Sequence, residues 1–136
     1  MAAAVLVDTN VILDIATDDP AWSDWSSVAL ARAANESVLV INPLIYAEVS
    51  IGLDSIEALD EILSPAVFRR DPLPYEAGFL AGKAFLAYRR RGGRKLMPLP
   101  DFYIGAHAAV AGLRLLTRDA SRYRTYFPKL EILAPK

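Results

Sequence analysis

The chain has 136 residues, of which 54% are hydrophobic and 23% are charged, and its formal net charge is -1. This length suits a single domain with a sizeable core, and the balanced charge argues against disorder and against a protein that binds nucleic acid by overall charge alone. The absence of cysteine and the presence of one histidine exclude disulfides, thiolate metal sites, cysteine nucleophiles and multi-histidine metal sites.

The first half of the chain predicts two buried strands, each followed by helix. The strands are the apolar runs Ala4–Val7 and Val38–Ile41. Asn42 and Pro43 then supply a helix N-cap followed by proline at the first helical position. The first predicted helix starts within Asp8–Asn10 and continues over Val11–Thr17. The other helices predicted in this half are Trp22–Ala34, Pro43 to about Gly52, and Asp54–Leu63.

The second half repeats this alternation. A long amphipathic helix, Tyr75–Arg91, is stopped by glycine, and a later helix runs from Asp101 to about Gly112. Three further strands are predicted at Ala66–Phe68, Leu115–Thr117 and Leu130–Leu133. Apolar strands that alternate with helices imply a parallel sheet covered on both faces, so we predict one α/β domain.

No apolar run approaches the roughly 20 residues needed to cross a bilayer. The amino-terminal segment Met1–Val7 has no basic flank and is shorter than a signal peptide. We therefore expect a soluble cytoplasmic protein without membrane contact.

Four acids, which we call the acidic quartet, fall near predicted strand ends. Asp8 ends the first strand and Asp119 follows the fourth, and ligands of open parallel sheets bind beyond such ends, near the point where strand order reverses. Glu48 lies in the helix after the second strand, and Asp101 in the first turn of the helix before the fourth. The alternative is that each acid merely caps a helix. Helix capping explains Asp101 alone as well as a metal site does, but it is the weaker explanation for all four acids together.

Clustered carboxylates repel one another unless a cation is present. Oxygen ligands without histidine or cysteine suit Mg²⁺ or Mn²⁺ rather than zinc. Such an ion can activate water and stabilise charge on a phosphodiester during in-line attack. The acidic quartet therefore predicts metal-dependent phosphodiester hydrolysis.

Four segments, taken in order, resemble the PIN-domain family, and in particular the VapC-type toxins of bacterial and archaeal toxin–antitoxin pairs. The likeness extends from Val5 to about Pro135. The segments are Val7–Asp14, Tyr46–Glu48, Leu99–Ala108 and Leu116–Asp119. The resemblance implies a single PIN-like domain over residues 1–136 with a five-stranded parallel sheet. It also implies Mg²⁺- or Mn²⁺-dependent cleavage of RNA, homodimerisation, and inhibition by a cognate antitoxin.

By position, Asp8, Glu48, Asp101 and Asp119 match the family's acidic residues, which act in catalysis and metal binding. Asn10 and Thr117 match polar positions that often support them. Arg122 departs from the pattern, because many relatives have an acid there, before the aromatic residue that is Tyr123 in this chain. The departure bears on the number of metal ions and on substrate contacts.

Five cations and two glycines form a dense basic segment, Arg89–Lys95. It could be a solvated helix end, where cations complement the helix dipole and Gly92 is the cap. It could instead be a mobile arm that binds RNA phosphates, which is the interpretation we favour. The predicted RNA-binding residues are therefore Arg89, Arg90, Arg91, Arg94 and Lys95, with Arg118 as a weaker candidate.

His107 lies six residues after Asp101, which does not place the two on one helix face, so we predict a core or supporting role.

The helix predicted from Pro43 carries more apolar residues than a single face can bury, which predicts an exposed apolar patch and a symmetric dimer. The alternative is that the neighbouring Asp54–Leu63 helix folds back over this patch. The apolar residues are Leu44, Ile45, Val49, Ile51 and Leu53.

Three other functions remain open. A phosphatase of the haloacid-dehalogenase type also opens with a strand ending in Asp, but it needs a second Asp where this chain has Asn10. A phospho-accepting receiver module would need an Asp after the third strand, where Arg69 and Arg70 stand. The third alternative is an inactive RNA- or protein-binding PIN module.

Overall fold

The computed structural model describes residues 3–136 as one sheet of five parallel strands with helices around it. Right-handed crossovers between parallel strands place helices on both faces of such a sheet. In chain order the elements are β1 (Val5–Val7), α1 (Thr9–Ala16), α2 (Ser23–Glu36), β2 (Leu39–Ile41), α3 (Pro43–Ser50), α4 (Ile56–Ile62), β3 (Phe68–Arg70), α5 (Tyr75–Arg90), α6 (Pro100–Ala111), β4 (Arg114–Leu116), α7 (Ser121–Tyr126) and β5 (Ile132–Leu133).

The strand order is β3-β2-β1-β4-β5, which confirms the predicted parallel α/β architecture. β1 is central, and its Leu6 lies beside Val40 of β2 and Leu115 of β4. β2 and β3 lie on one side of β1, and β4 and β5, which come later in the chain, lie on the other side. The order therefore reverses between β1 and β4, and a crevice opens beyond their carboxyl ends.

The central strands are apolar at every position because helices cover them on both faces. All residues of β1 and β2 are buried. The Phe102 ring of α6 makes edge-to-face contacts with Tyr88 of α5 and Tyr126 of α7, at centroid distances of 5.6 and 5.2 Å. These aromatic contacts join three helices directly beside the crevice.

The structure differs from the sequence prediction at several element boundaries. α1 begins at Thr9, within the predicted helix start, and the Asp8 side chain accepts a hydrogen bond from the Thr9 amide and caps the helix. β3 covers Phe68–Arg70 rather than Ala66–Phe68. As an edge strand it tolerates two exposed arginines. α7 was not predicted, since its six residues have no apolar periodicity.

The apolar helix α3 divides its side chains between the core and the surface. Ile45 and Val49 are buried, whereas Ile51, just past the helix, is 86% exposed. α4 packs against α3, where the Tyr46 hydroxyl donates to Asp60 at 2.9 Å, but it leaves Ile51 uncovered. None of the helices formed by residues 3–136 has the length and apolar character needed to span a bilayer.

Candidate metal centre and active site

Asp8 is a buried carboxylate held by donors from three parts of the chain. Its Oδ1 accepts the Thr9 amide at 2.8 Å. Its Oδ2 accepts the hydroxyls of Thr117 and Tyr123, each at 2.9 Å. These contacts fix the carboxylate at the carboxyl end of β1, between the ends of α1, β4 and α7.

The Asp8 carboxyl has a raised pKa, from 3.8 to about 6. Burial is the main cause, and the nearby charge of Asp101 adds to it, while the hydrogen bonds from Thr117 and Tyr123 oppose it. Burial and the same acids also raise the pKa of Tyr123 far above its ordinary value, so its hydroxyl stays protonated and remains a donor. An added cation would relieve the unfavourable burial of the Asp8 charge.

Thr9 joins Asp8 to Glu48. Besides the amide bond to Asp8, its hydroxyl donates to Glu48 Oε1 at 2.7 Å. α3 carries Glu48 to the crevice because Asn42 caps that helix at the carboxyl end of β2. Through its two hydrogen bonds, Thr9 fixes the separation of Asp8 and Glu48, which lie 40 positions apart in the chain.

Asn10 and Thr117 support the same carboxylate from the β4 side. The Asn10 amide nitrogen donates to Thr117 Oγ1 at 3.1 Å and lies 3.5 Å from Asp8 Oδ2. The side-chain oxygen Oδ1 of Asn10 accepts the Arg118 backbone amide at 3.2 Å. These bonds hold α1 against the loop after β4, and a role of Asn10 and Thr117 in the activity of the site stays a prediction.

Asp101 lies in the first turn of α6, across the crevice from Asp8. Its Oδ1 is 3.5 Å from the Tyr123 hydroxyl, and its Oδ2 is 3.3 Å from Arg122 Nη1. Asp119 is more exposed, and its Oδ1 accepts the Ser121 hydroxyl at 3.1 Å near the start of α7. α7 thus contributes contacts to three of the four acids.

All four acids line one open cleft of about 550 Å³. As they stand, no three acidic or histidine side chains within residues 3–136 are arranged to hold a metal ion directly. The donors nevertheless fit a hard divalent cation, because they are carboxylate oxygens flanked by hydroxyls and an amide. The residues that would hold Mg²⁺ or Mn²⁺ are Asp8, Glu48, Asp101 and Asp119.

The basic segment borders this cleft without entering it. Arg89 Nη1 donates to the Lys95 carbonyl at 2.7 Å, which closes the segment into a loop. Arg91 lies over the Tyr126 ring, 5.5 Å from its centre, and Tyr126 lines the cleft. Arg90, Arg91, Arg94 and Lys95 are exposed. RNA binding by this segment stays a prediction.

Arg118 has a structural contact as well as a position beside the acids. Its Nε donates to both oxygens of the buried Asp14, at 2.9 and 3.1 Å, and its guanidinium lies 5.6 Å from the centre of the Trp22 ring. This pair ties the loop after β4 to α1. RNA binding by Arg118 stays a prediction.

His107 is buried away from the cleft, in keeping with its predicted supporting role. The side-chain oxygen Oδ1 of Asn42 accepts the Ile45 amide at 3.0 Å, so the side-chain nitrogen Nδ2 of Asn42 donates to His107 Nδ1, also at 3.0 Å. The ring proton is therefore on Nε2, and burial lowers the pKa of the imidazole. His107 therefore helps to hold the start of α3, the helix that carries Glu48.

Two residues of the site were missed at the level of sequence. Thr9 was read only as part of a helix start, although it directly follows Asp8. Tyr123 was noted as an aromatic position, but α7 was not predicted, so nothing brought its hydroxyl to Asp8. The signal that could have found it is the position of this Tyr, four residues after Asp119.

Comparison with known proteins gives a family and a set of similar folds. The sequence model of the PIN domain matches residues 5–128. A search among curated proteins gave no match. Three of the similar structures align over nearly their whole length, and at these identities the likeness shows the fold. They are VapBC2 from Rickettsia felis bound to a DNA fragment from their promoter (17% identity, 98% of this chain and 99% of that chain, TM-score 0.74), VapBC-1 from nontypeable Haemophilus influenzae (18%, 96% and 97%, 0.73) and FitAcB from Neisseria gonorrhoeae (19%, 95% and 96%, 0.67).

Proposed function

Since this chain belongs to the PIN-domain family, we propose that it is a ribonuclease that hydrolyses RNA phosphodiester bonds with Mg²⁺ or Mn²⁺. The observation that carries the proposal is the convergence of the acidic quartet on one cleft from four separate segments. Four acids that merely capped helices would have no reason to share a cleft.

A divalent ion bound by the quartet would supply an activated water and would stabilise charge on the phosphodiester. The chain's own residues would keep the ligands in place. Tyr123 and Thr117 donate to Asp8 Oδ2, so this oxygen is held even before an ion binds. Thr9 holds Glu48 in the same way. Such preorganisation reduces the reorganisation needed for catalysis.

The basic segment supports RNA as the substrate. A cleft lined by four carboxylates repels a polyanion, so cations nearby must bind the flanking phosphates. Arg91 and its neighbours lie beside Tyr126 at the border of the cleft, and Arg118 remains a weaker candidate for the same role. Each phosphate contact contributes to affinity that decreases with salt.

We further propose that the chain is the cytoplasmic toxin of a VapBC-type toxin–antitoxin pair, inhibited by a cognate antitoxin and active as a homodimer. Support for the antitoxin comes from two of the similar structures, which are named VapBC2 and VapBC-1. Support for the dimer comes from two apolar side chains beside α3 and α4, Ile51 and Ile56, which are 86% and 67% exposed.

The family membership speaks against a haloacid-dehalogenase-type phosphatase and a receiver module. The geometry at Asn10 agrees, because its amide is engaged with Thr117 and the Arg118 backbone, and an amide cannot act as the acid/base of a phosphatase. The inactive binding module remains the second candidate. The complete quartet favours an active enzyme over that candidate.

The test is to incubate the purified protein with a labelled RNA and with a generic phosphate ester, each in EDTA and in Mn²⁺. We expect RNA cleavage in Mn²⁺ alone and no hydrolysis of the ester. Asp101→Asn should abolish cleavage, whereas Asp54→Asn, the same change at an exposed acid outside the cleft, should not. Cleavage by wild type in excess EDTA, or by Asp101→Asn at the wild-type rate, would refute the proposal.

A further inference from the structure

Arg122 brings a positive charge into the acidic cleft. It lines the cleft together with the quartet, and within residues 3–136 it is the one cationic side chain that does so. Its Nη1 lies 3.3 Å from Asp101 Oδ2. Its guanidinium carbon lies 5.9 Å from the centre of the Phe102 ring, which limits its movement. The arginine is therefore a component of the site.

The hydrogen bonding of Arg122 is incomplete. Arg118 uses its guanidinium on both oxygens of Asp14, and Arg70 donates to Asp60 and to the Leu63 carbonyl. Arg122 makes a single contact, through Nη1, and in the described part of the chain its other N–H groups donate to no protein atom. The side chain is 41% exposed. It can therefore donate to an incoming anion while it keeps its contact with Asp101.

The charge of the cleft limits the number of metal ions. The quartet carries a formal charge of -4, and Arg122 reduces it to -3. One divalent ion brings the sum to -1, which leaves a favourable field for that ion. A second divalent ion would make the sum +1 and would share the cleft with the guanidinium, so like charges would repel it.

We propose that Arg122 takes the place of a second divalent ion. One Mg²⁺ or Mn²⁺ then binds per cleft, and the guanidinium binds an RNA phosphate beside it. This inference rests on the proposed function, because it assumes that the quartet binds metal and that RNA enters the cleft. It makes Arg122 a determinant of metal stoichiometry and of substrate binding.

Metal stoichiometry can be measured without activity, by titrating the protein with Mn²⁺ and counting free ions by electron paramagnetic resonance. We expect one ion per wild-type chain and two per Arg122→Glu chain. Arg124→Glu makes the same charge change on the exposed side of α7, outside the cleft, and should leave one ion. Circular dichroism establishes that each variant is folded. Arg122→Gln, which adds no negative charge, serves if Arg122→Glu does not fold.

Two ions in wild type, or one ion in Arg122→Glu and Arg122→Gln alike, would overturn the inference and leave the proposed function intact. No ion bound by wild type would instead overturn the proposed function. The two failures are therefore distinguishable in a single titration.

RNA affinity tests the second half of the inference. Fluorescence anisotropy with a labelled oligoribonucleotide in EDTA, at several salt concentrations, reports binding without cleavage. Arg122→Gln should weaken binding about tenfold or more, as expected for the loss of a charge-assisted hydrogen bond. It should also reduce the logarithmic salt slope by about 0.7. Equal losses for Arg122→Gln and Arg124→Gln would reduce the effect to general surface charge and overturn the proposal.

Discussion

Asp8→Asn should stabilise the metal-free protein at neutral pH even though it removes a proposed ligand. The folded state raises the pKa of this carboxyl from 3.8 to about 6, so folding favours its protonated form. A group of this kind stabilises the protein fully below pH 3.8, and the stabilisation is lost as pH rises through about 6. The difference between the two pKa values corresponds to about 3 kcal/mol.

This value is the upper limit of the gain for Asp8→Asn above pH 7. The amide keeps an acceptor for the Thr9 N–H, but it turns a donor toward the hydroxyls of Thr117 and Tyr123, which must reorient. We therefore expect a gain of about 1–3 kcal/mol in the free energy of unfolding. For a domain of this size, each kcal/mol raises the melting temperature by roughly 4 °C.

The assay is thermal denaturation followed by circular dichroism, in EDTA, at several values from pH 4 to pH 8. Asp8→Asn should be more stable than wild type at pH 8, and the difference should disappear near pH 4. Adding Mn²⁺ should stabilise wild type and not the variant. Asp54→Asn controls for the general loss of an acid. A variant less stable than wild type at pH 8, or a difference that does not change with pH, would refute the reasoning.

Four further predictions concern other parts of the chain. Gly105→Ala should destabilise the protein by about 1–3 kcal/mol in urea denaturation, because the new methyl carbon would lie 2.5 Å from the Phe127 ring. The control is Gly78→Ala, whose methyl carbon would meet nothing within 4 Å. Equal effects of the two substitutions would contradict the packing argument. His107→Gln should lose less stability than wild type between pH 8 and pH 5, because the lowered pKa of His107 reduces the stability of the wild-type protein as pH falls below 6.5; parallel pH profiles from urea denaturation would count against this. Replacing the five cations of the basic segment by Gln should weaken RNA binding and flatten its salt dependence, with Mn²⁺ binding unchanged; an unaltered salt slope would make the segment an ordinary helix end. Ile51→Lys should convert a dimer to a monomer in sedimentation equilibrium, and a wild-type mass near 14.9 kDa would refute the dimer itself.

Local pattern was sufficient to predict the sheet and the approximate place of the cleft. The apolar runs that form β1 and β2 are buried at every position. Such short, uninterrupted apolar runs are typical of parallel strands covered on both faces, so the sequence alone predicts them. Asp8 and Asp119 end up at one cleft because parallel strands align their carboxyl ends. The shift of β3 onto Arg69 and Arg70 was not predictable, since pairing with β2 overrides the low strand propensity of that segment.

The contacts that complete the site depend on tertiary packing and could not be read from spacing. The Tyr123 hydroxyl reaches Asp8 across 115 positions, and the Thr9 hydroxyl reaches Glu48 across 39. Arg122 was recognised as unusual from the family pattern alone, but its pairing with Asp101 required the position of α7 relative to α6. Short polar helices of this kind carry little sequence signal, and here one of them organises much of the site.

The separation of these partners along the chain also governs when the site can form during synthesis. β1 leaves the ribosome early, but its partner β4 begins at Arg114, and the hydroxyls that hold Asp8 belong to Thr117 and Tyr123. An amino-terminal fragment that ends before β4 has a sheet open at its central strand and an Asp8 without two of its donors. The cleft can therefore form only after α7 has been synthesised, and we expect fragments that end before β4 to lack the proposed activity.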